Sequence, residues 1–429
     1  MLNPGVKRKE VFGWAMYDFA NSGYTTVVIT AVFSAYFVGA VADKAEWATL
    51  AWTIALSFSY AIVMLTMPAM GAWADRHAAK KKLLMAVTVA CVASTAALFW
   101  VKPGDVLLAL VCIIISNTFY SYGESLTAAF LPELAKPEAV GRISAWGWAW
   151  GYLGGMVTLG ICLAYVLWAQ AAGQTAGQFV PITMLMTAAI YALAACVTLV
   201  LLKEHAKPHL SEKTKARYWQ QLIQTFKEAR EYKDFMQLMA CAVAYQGGVA
   251  VAITLAAIYA EQVIGFEPQE TMVLIFVLNI AALVGSLVLG YAQDRIGHKL
   301  ALSLTLWGWV ITCVVAAMST SKEMFWWAAI LAGVCMGSSQ STGRAMAALF
   351  IPSQRLAEFF GLWAFAIRLA SILGPMGYGL ITWVTDGNQR LAIAATTGLF
   401  FVGWLLLLPV NVQRGHLLAT QKSNGESVA

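Results

Sequence analysis

The hexapeptide GAWADR at Gly71–Arg76 recurs as GYAQDR at Gly290–Arg295, 219 residues later, and each copy lies between two long apolar runs. An offset of 220 residues also relates further positions: Phe130 to Phe350, Pro132 to Pro352, Leu153 to Leu373 and Gly154 to Gly374. The repeating unit therefore covers nearly half of the chain. An internal repeat of this size within apolar sequence predicts a membrane-embedded protein that is built from two related halves.

The composition agrees with a membrane protein and excludes a water-soluble one. Hydrophobic residues make up 60% of the chain and charged residues 12%, whereas soluble domains carry about 25% charged residues. A soluble fold of 429 residues could not hide so much apolar surface from water. The net charge of +6 could indicate a nucleic-acid partner. The positions of the basic residues argue against a nucleic-acid partner. We therefore expect the protein to contact membrane lipid and no nucleic acid.

Twelve apolar segments are long enough to cross a bilayer as helices, which takes about 20 residues each. They lie at roughly residues 11–38, 49–70, 83–101, 105–129, 143–169, 180–202, 235–260, 270–292, 300–319, 324–349, 357–385 and 388–412. The sequence therefore predicts an all-α membrane protein with twelve transmembrane helices. We divide it into an N-terminal six-helix half (1–202), a central cytoplasmic loop (203–234) and a C-terminal six-helix half (235–429).

The distribution of Lys and Arg predicts the orientation of these helices. If the N-terminus is cytoplasmic, nearly all of the 28 Lys and Arg residues fall in cytoplasmic segments. The exceptions are Arg368, which lies inside a segment, and four outer residues, Lys44, Lys102, Lys322 and Arg390. Because cytoplasmic loops are enriched in Lys and Arg, we expect both termini in the cytoplasm.

The central loop contains a pattern of its own. Trp219, Leu222, Ile223 and Phe226 occur at the spacing i, i+3, i+4, i+7 and are surrounded by basic residues. This pattern predicts an amphipathic helix on the cytoplasmic surface of the membrane. A helix that docks a partner protein is the alternative.

The duplicated loop resembles the G-x-x-x-D-R-x-G-x-K motif of the major facilitator superfamily, between the second and third helices of each half. The second copy is complete, with Gly290, Asp294, Arg295, Gly297 and Lys299. The first copy keeps Gly71, Asp75, Arg76 and Lys80 but has Ala78 in place of glycine. An Asp at a helix end can pair with basic groups and with a neighbouring helix N-terminus. We therefore expect both copies to close the cytoplasmic face as a gate; simple positive-inside anchoring is the alternative.

A narrower resemblance is to the vacuole effluxer family, whose fungal members are autophagy-related permeases. It rests on WAMYDFANSGYTTVVITAVFSAYF at Trp14–Phe37, FLPELAKPEAVGRISAWGWAWGYLGG at Phe130–Gly155 and GRAMAALFIPSQRLAEFFGLWAFAIRLASILGP at Gly343–Pro375. The fungal members export amino acids such as leucine and tyrosine from the vacuole. The resemblance implies a permease with exporter character, and for a bacterial member we expect the inner membrane as its location.

Charged residues inside transmembrane segments are costly and usually functional. On predicted helix 4, Asn117, Tyr120 and Glu124 share one polar face. The repeat places Gln340 and Arg344 at the matching positions of predicted helix 10. In the superfamily, helices 1, 4, 7 and 10 line the central cavity. We therefore expect Glu124 and Arg344 to pair across the repeat axis as an intracellular gate; side chains that reach to the headgroups are the alternative.

Predicted helix 1 carries Asp18 and Asn21 on one polar face, and a buried carboxyl there suits proton coupling. A local cap or a brace for helix 5 is the alternative for Asp18. Arg368 lies near the middle of predicted helix 11, where it could bind a substrate carboxylate or neutralise Asp18 or Glu124. Gln246 on predicted helix 7 adds a further polar group to the expected lining.

These features predict a secondary active transporter of a small solute, an amino acid or a related compound, that works by alternating access and is driven by protons. A drug/proton antiporter is the alternative within the same class. An intramembrane enzyme would need a buried nucleophile and base or a metal cluster, yet all five His residues fall in predicted loops or tails. We therefore expect no enzymatic activity, no cofactor and no metal site, and we expect a monomer.

Overall fold

The chain is described here by a computed structural model that covers residues 1–429 except 44, 46, 207–226, 267 and 425–429. Together with a one-turn helix at Leu131–Leu134 and short 3-10 turns, the described residues form twelve long helices and one shorter C-terminal helix. These are α1 Arg8–Val41, α2 Ala48–Arg76, α3 Lys80–Ala97, α4 Val106–Ala128, α5 Val140–Ala171, α6 Ala176–Leu201, α7 Lys233–Tyr259, α8 Pro268–Ile296, α9 His298–Met318, α10 Lys322–Leu349, α11 Leu356–Val384, α12 Gln389–Leu407 and α13 Val412–Asn424. The prediction of twelve membrane-spanning helices is confirmed in number and in order.

Eleven of the twelve long helices in the described chain are long and apolar enough to cross a membrane. The exception is α10, whose 28 residues are long enough but whose second half carries a run of small polar residues. Ser338, Ser339, Ser341 and Thr342 are all fully buried in the protein. Since a polar helix face at membrane depth is tolerated when it is buried against protein, α10 fits as an interior helix of the bundle.

Helices α1–α6 and α7–α12 form the two halves, and they meet along α2 with α11, α5 with α8, α5 with α10 and α4 with α11. The N-terminus, the α2–α3 and α8–α9 turns, the start of α7 and α13 lie on one face, which we call the terminal face. Asn3 donates its backbone N–H to the carbonyl of Leu134, 3.1 Å away, and Arg414 of α13 pairs with Asp234 at the start of α7. The predicted amphipathic helix of the central loop falls outside the described residues.

The two copies of the loop motif make similar turns from different residues. Gly297, before α9, has a φ of +93°, in the region that glycine adopts without strain. Ala78 occupies the corresponding place before α3 with a φ of +45°. A non-glycine residue in a left-handed conformation costs about 1–3 kcal/mol. The first copy therefore forms the same kind of turn without its glycine, and the backbone at Ala78 is locally strained.

A seam of glycines joins α1 to α5 within the N-terminal half. A Cβ at Gly154 would lie 2.3 Å from the carbonyl oxygen of Phe19, and a Cβ at Gly151 would lie 2.9 Å from Ser22 Oγ. Glycines allow helix backbones to approach this closely. On its other side, α1 is tied to α3 by the hydrogen bond between Tyr17 and Thr88, 2.9 Å long. Helix α1 is thus packed as a fixed part of the N-terminal half.

Candidate functional site

An ion pair between the halves lies at the centre of the candidate site. Arg344 of α10 donates from Nη1 to Oδ2 of Asp18 on α1, at 2.8 Å. Its Nη2 donates to the carbonyl of Ser144 on α5 at 2.8 Å, and its Nε donates to Ser144 Oγ at 3.2 Å. Both charged residues are more than nine-tenths buried. The Arg344 guanidinium is therefore held by one carboxylate and two neutral oxygens, all of them in the N-terminal half.

Two indole rings and a glycine complete the surroundings of Arg344. The guanidinium lies 4.8 Å from the ring centre of Trp14 and 5.2 Å from that of Trp148, within the range of cation–π attraction. A Cβ at Gly147 would lie 2.3 Å from Asp18 Oδ2 and 2.5 Å from Arg344 Nη2. Any larger residue at position 147 would therefore occupy the space in which the ion pair forms.

A second ion pair joins α11 to α4. Arg368 donates from Nη2 to Oε2 of Glu124, and its guanidinium lies 5.2 Å from the ring centre of Tyr60 and 5.8 Å from that of Tyr120. The Arg368 side chain is 9% exposed, whereas the Glu124 side chain is 32% exposed. The Nε atom of Arg368 is buried and has no hydrogen-bond partner. Arg368 Nε could therefore donate to a further hydrogen-bond acceptor beside Glu124.

The expected ion pair between Glu124 and Arg344 is wrong for this conformation. Arg344 pairs with Asp18 and Glu124 pairs with Arg368. Glu124 and Arg344 are repeat equivalents, so each occupies the same place in its own half. Because the halves meet along different helix pairs, each charge is satisfied by a neighbouring helix and not by its repeat equivalent. The alternative interpretation of Arg368, as the partner of Glu124, describes the observed contact.

The remaining predicted polar residues fall into two groups. In the N-terminal half, Asn117 donates to Ser59 Oγ at 2.5 Å, and Asn21 accepts a hydrogen bond from Tyr191 at 2.8 Å while its Nδ2 atom is buried without a partner. In the C-terminal half, Gln246 donates to Gln340 at 2.8 Å. These contacts join helices of the same half, so they do not cross between the halves as the two ion pairs do.

The two loop-motif aspartates each reach across to a helix N-terminus of the other half. Asp294, at the end of α8, accepts backbone hydrogen bonds from Gly141 and Arg142 at the start of α5, at 3.1 and 3.2 Å. Asp75, at the end of α2, accepts one from Glu358 in the first turn of α11, at 3.0 Å. Helix N-termini favour negative charge. Both aspartates therefore join the two halves at the terminal face, and their role as a gate stays a prediction.

The motif glycines allow the closed packing, and the motif arginines complement it. A Cβ at Gly71 would lie 2.2 Å from the carbonyl oxygen of Ala357, and a Cβ at Gly290 would lie 2.0 Å from Cβ of Ala145. In both places a helix of one half lies directly against the other half. Arg76 and Arg295 lie in the last turns of α2 and α8, where a cation complements the helix dipole.

Several contacts of the site could not be predicted from the sequence. The motif residue Lys80 is fully buried and pairs with Glu133, and its Nζ lies 3.7 Å from Oδ1 of Asp75. Ser144 supplies two of the acceptors of Arg344, and Trp14 supplies one of its rings. The FLPE segment that contains Glu133 was noted as a family feature, and the repeat could not reveal its role because Ser353 takes its place in the second half. Among the described residues, no cluster of three or more His, Cys, Asp and Glu side chains could hold a metal ion.

Comparison with known proteins places this geometry in a family. Residues 6–419 match the family model described as vacuole effluxer Atg22 like. The MFS-type transporter YxiO of Bacillus subtilis is 28% identical over 415 residues, which cover 93% of this chain and 94% of that protein. Autophagy-related protein 22-1 of Neosartorya fischeri is 23% identical over 306 residues, which are 64% of this chain and 48% of that relative, so the chain matches about half of the fungal protein.

Solved structures show the same fold. The human organic anion transporter MFSD10 (TETRAN) superimposes with a TM-score of 0.75 at 15% identity, over 94% of this chain and 100% of that one. The major facilitator superfamily transporter FucP in the outward conformation gives a TM-score of 0.72 at 14% identity, over 93% and 97% of the two chains. With twelve helices in two halves, a duplicated loop motif and a family match over nearly its whole length, the chain belongs to the Atg22-like vacuole effluxer family of major facilitator superfamily transporters, and it is not an enzyme.

Proposed function

We propose that this transporter moves a small organic solute, an amino acid or a related compound, by alternating access between residues 1–202 and 235–429, with 203–234 as the connecting loop. The observation that carries the proposal is the two ion pairs between the halves, Asp18 with Arg344 and Glu124 with Arg368. Asp18, Arg344 and Arg368 are buried, and both pairs need contact between the two halves. Because a buried charge without a partner is costly, the halves can separate only when something replaces each partner, and a charged solute can do this.

The chemistry of Arg368 supports a substrate with a carboxylate. Its buried Nε is an unused donor, and a guanidinium binds a carboxylate through two parallel hydrogen bonds. The neighbouring Glu124 is one-third exposed, so a solute with an ammonium group could approach it at the same time. Tyr60 and Tyr120 flank the guanidinium and would enclose such a solute. A zwitterionic amino acid has both of the groups that this pair can recognise.

Proton coupling is proposed to occur at Asp18. In the closed conformation its carboxylate is neutralised by Arg344. When the terminal face opens and Arg344 moves away with the C-terminal half, the carboxylate needs a new counter-charge, which a proton can supply. We therefore expect Asp18→Asn to abolish proton-driven accumulation and to spare substrate exchange, because exchange needs no net change in protonation. Wild-type accumulation by Asp18→Asn in a pH-jump experiment would make Asp18 structural and leave Glu124 as the coupling candidate.

The terminal face is proposed to be the cytoplasmic one. Of the Lys and Arg residues that the structure describes, most lie in segments on this face, and Lys102, Lys322, Arg368 and Arg390 are the exceptions, as the positive-inside rule requires. The conformation described here, closed on that face, is then the outward-facing stage of the cycle. A bacterial inner membrane and a monomeric protein fit this arrangement.

A counterflow assay in proteoliposomes tests the substrate class. Vesicles are loaded in turn with amino acids, dipeptides and organic cations, and uptake of the labelled solute is compared between wild type and Arg368→Gln. Arg8→Gln, at the exposed start of α1, is the matched control. Amino-acid counterflow that Arg368→Gln abolishes and Arg8→Gln keeps would support the proposal. Counterflow of organic cations alone, unaffected at Arg368, would favour the drug/proton antiporter instead.

A further inference from the structure

The groups that hold Arg344 form a complete recognition site within one half of the protein. Asp18 and Trp14 belong to α1, and Ser144 and Trp148 belong to α5. The glycine seam fixes α1 against α5. Trp14 is also anchored by the hydrogen bond from its Nε1 to the carbonyl of Thr127, at 2.8 Å. These four groups therefore stay together when Arg344, which belongs to the other half, moves away.

The composition of this site points to an organic cation. A carboxylate alone would be sufficient to accept a proton, but two indole faces within 5.2 Å of the same point add nothing to proton binding. Indole faces attract planar or alkylated cations, and quaternary and guanidinium groups are bound in such cages. The carbonyl and hydroxyl oxygens of Ser144 accept N–H donors at 2.8 and 3.2 Å. The N–H donors and the flat charge of a guanidinium meet all of these groups, and a primary ammonium meets them with three N–H donors and a compact charge.

We propose that Trp14, Trp148, Asp18 and Ser144 form an organic-cation site that Arg344 fills when the terminal face is closed. Arg344 then fills the site with a side chain of the protein itself. When Arg344 moves away, the site is open to a guanidinium or ammonium group that enters from the terminal face. The site itself does not depend on the proposed function. A cation bound there is regulatory, and its site is separate from the solute site proposed at Arg368 and Glu124.

The inference explains why an arginine and not a lysine suits position 344. The guanidinium uses three nitrogen atoms on three acceptors and presents flat faces to the two rings. It also gives a bound cation a role in the cycle. A cation bound in the site prevents the return of Arg344, so it keeps the terminal face open until the cation leaves.

A variant without the Arg344 side chain tests the site directly. Purified Arg344→Ala is melted with guanidinium chloride at roughly 10 mM, far below the molar concentrations that unfold proteins. Sodium chloride at the same ionic strength and urea, the neutral molecule of similar shape, are the controls. We expect guanidinium to raise the unfolding temperature of Arg344→Ala by about 2 °C or more, as ligand binding to the folded state does. Urea and sodium chloride should give no such rise.

Two further variants keep the test decisive. Asp18→Asn combined with Arg344→Ala removes the carboxylate of the site together with its occupant, and guanidinium should not stabilise it. Arg344→Ser replaces Arg344→Ala if the latter does not fold, because its short hydroxyl side chain also leaves the site empty. The absence of a shift in the single variant, or equal shifts in the single and double variants, would overturn the proposal. Guanidinium binding by Arg344→Ala together with a wild type that shows no amino-acid counterflow would remove the proposed function and leave the site in place.

Discussion

The tight contact between the halves at Gly290 of α8 and Ala145 of α5 gives a prediction about the conformational equilibrium. A Cβ at Gly290 would lie 2.0 Å from Cβ of Ala145, whereas apolar carbons pack at about 3.5–4.0 Å. Gly290→Ala therefore requires these helices to separate by about 1.5–2 Å in the closed conformation. When the terminal face is open, the helices are apart and the added methyl group costs nothing.

The expected shift follows from the cost of overpacking. Extra methyl groups in a tightly packed region cost about 1–3 kcal/mol, which corresponds to a change of about 5- to 150-fold in a two-state equilibrium. Alanine also gains up to about 1 kcal/mol of helix propensity over glycine, but this gain is the same in both conformations. Gly398→Ala is the matched control, because a Cβ at this position of α12 has open space around it.

Distances between spin labels at Lys82 and Lys233 provide the assay. Both residues are exposed on the terminal face, in opposite halves, and the labels need Cys196→Ser because Cys196 is the exposed cysteine. Gly290→Ala should lengthen the distance, Gly398→Ala should not, and Ala145→Gly combined with Gly290→Ala should restore the wild-type distribution. A distance distribution for Gly290→Ala that matches wild type would refute the reasoning, since the closed conformation would then tolerate the extra methyl group.

Three further predictions concern the charges. Arg344→Ala leaves Asp18 buried and unpaired, so it should reduce the free energy of unfolding by about 3–5 kcal/mol, measured by chemical unfolding. The double variant with Asp18→Asn should lose less of this free energy. An equal loss in the two variants would argue against the pairing. Asp294→Ala removes the carboxylate that caps α5 and should weaken the closed terminal face by about 1.5–3 kcal/mol, seen as a longer distance in the same spin-label pair; an unchanged distance would show that the cap is dispensable. A reporter fused at Lys322 should be external and one at Lys213 internal, and the opposite result would invert the proposed orientation.

Helix number and the gate motif could be predicted because both depend on local sequence. Apolar length decides where a helix crosses the membrane, and the repeat of GAWADR as GYAQDR marks equivalent turns. The motif indicates that Asp75 and Asp294 bind a helix N-terminus, but not which one, because Gly141 and Glu358 are distant from them in sequence. Helix α10 also could be identified by its length, although its buried serines lower its hydropathy.

The partners of the buried charges could not be predicted because they depend on the packing of helices that are distant in sequence. The repeat relates Glu124 to Arg344, and symmetry alone favours their pairing. The observed partner of Arg344 is set by Gly147, whose missing side chain leaves room for the guanidinium beside Asp18. The spacing of Gly147 and Gly151 along α5 indicates close helix packing, but it does not say which side chain uses the space.

The distribution of charge over the two ion pairs also determines which halves can assemble. Both acids, Asp18 and Glu124, belong to the N-terminal half, and both bases, Arg344 and Arg368, belong to the C-terminal half. In a symmetric dimer of two N-terminal halves, the place of Arg344 would be taken by a second Glu124, so two carboxylates would meet inside the membrane. If the repeat arose by duplication of a six-helix unit, the change between acid and base at this one position made the two copies complementary and made self-association of either copy unfavourable.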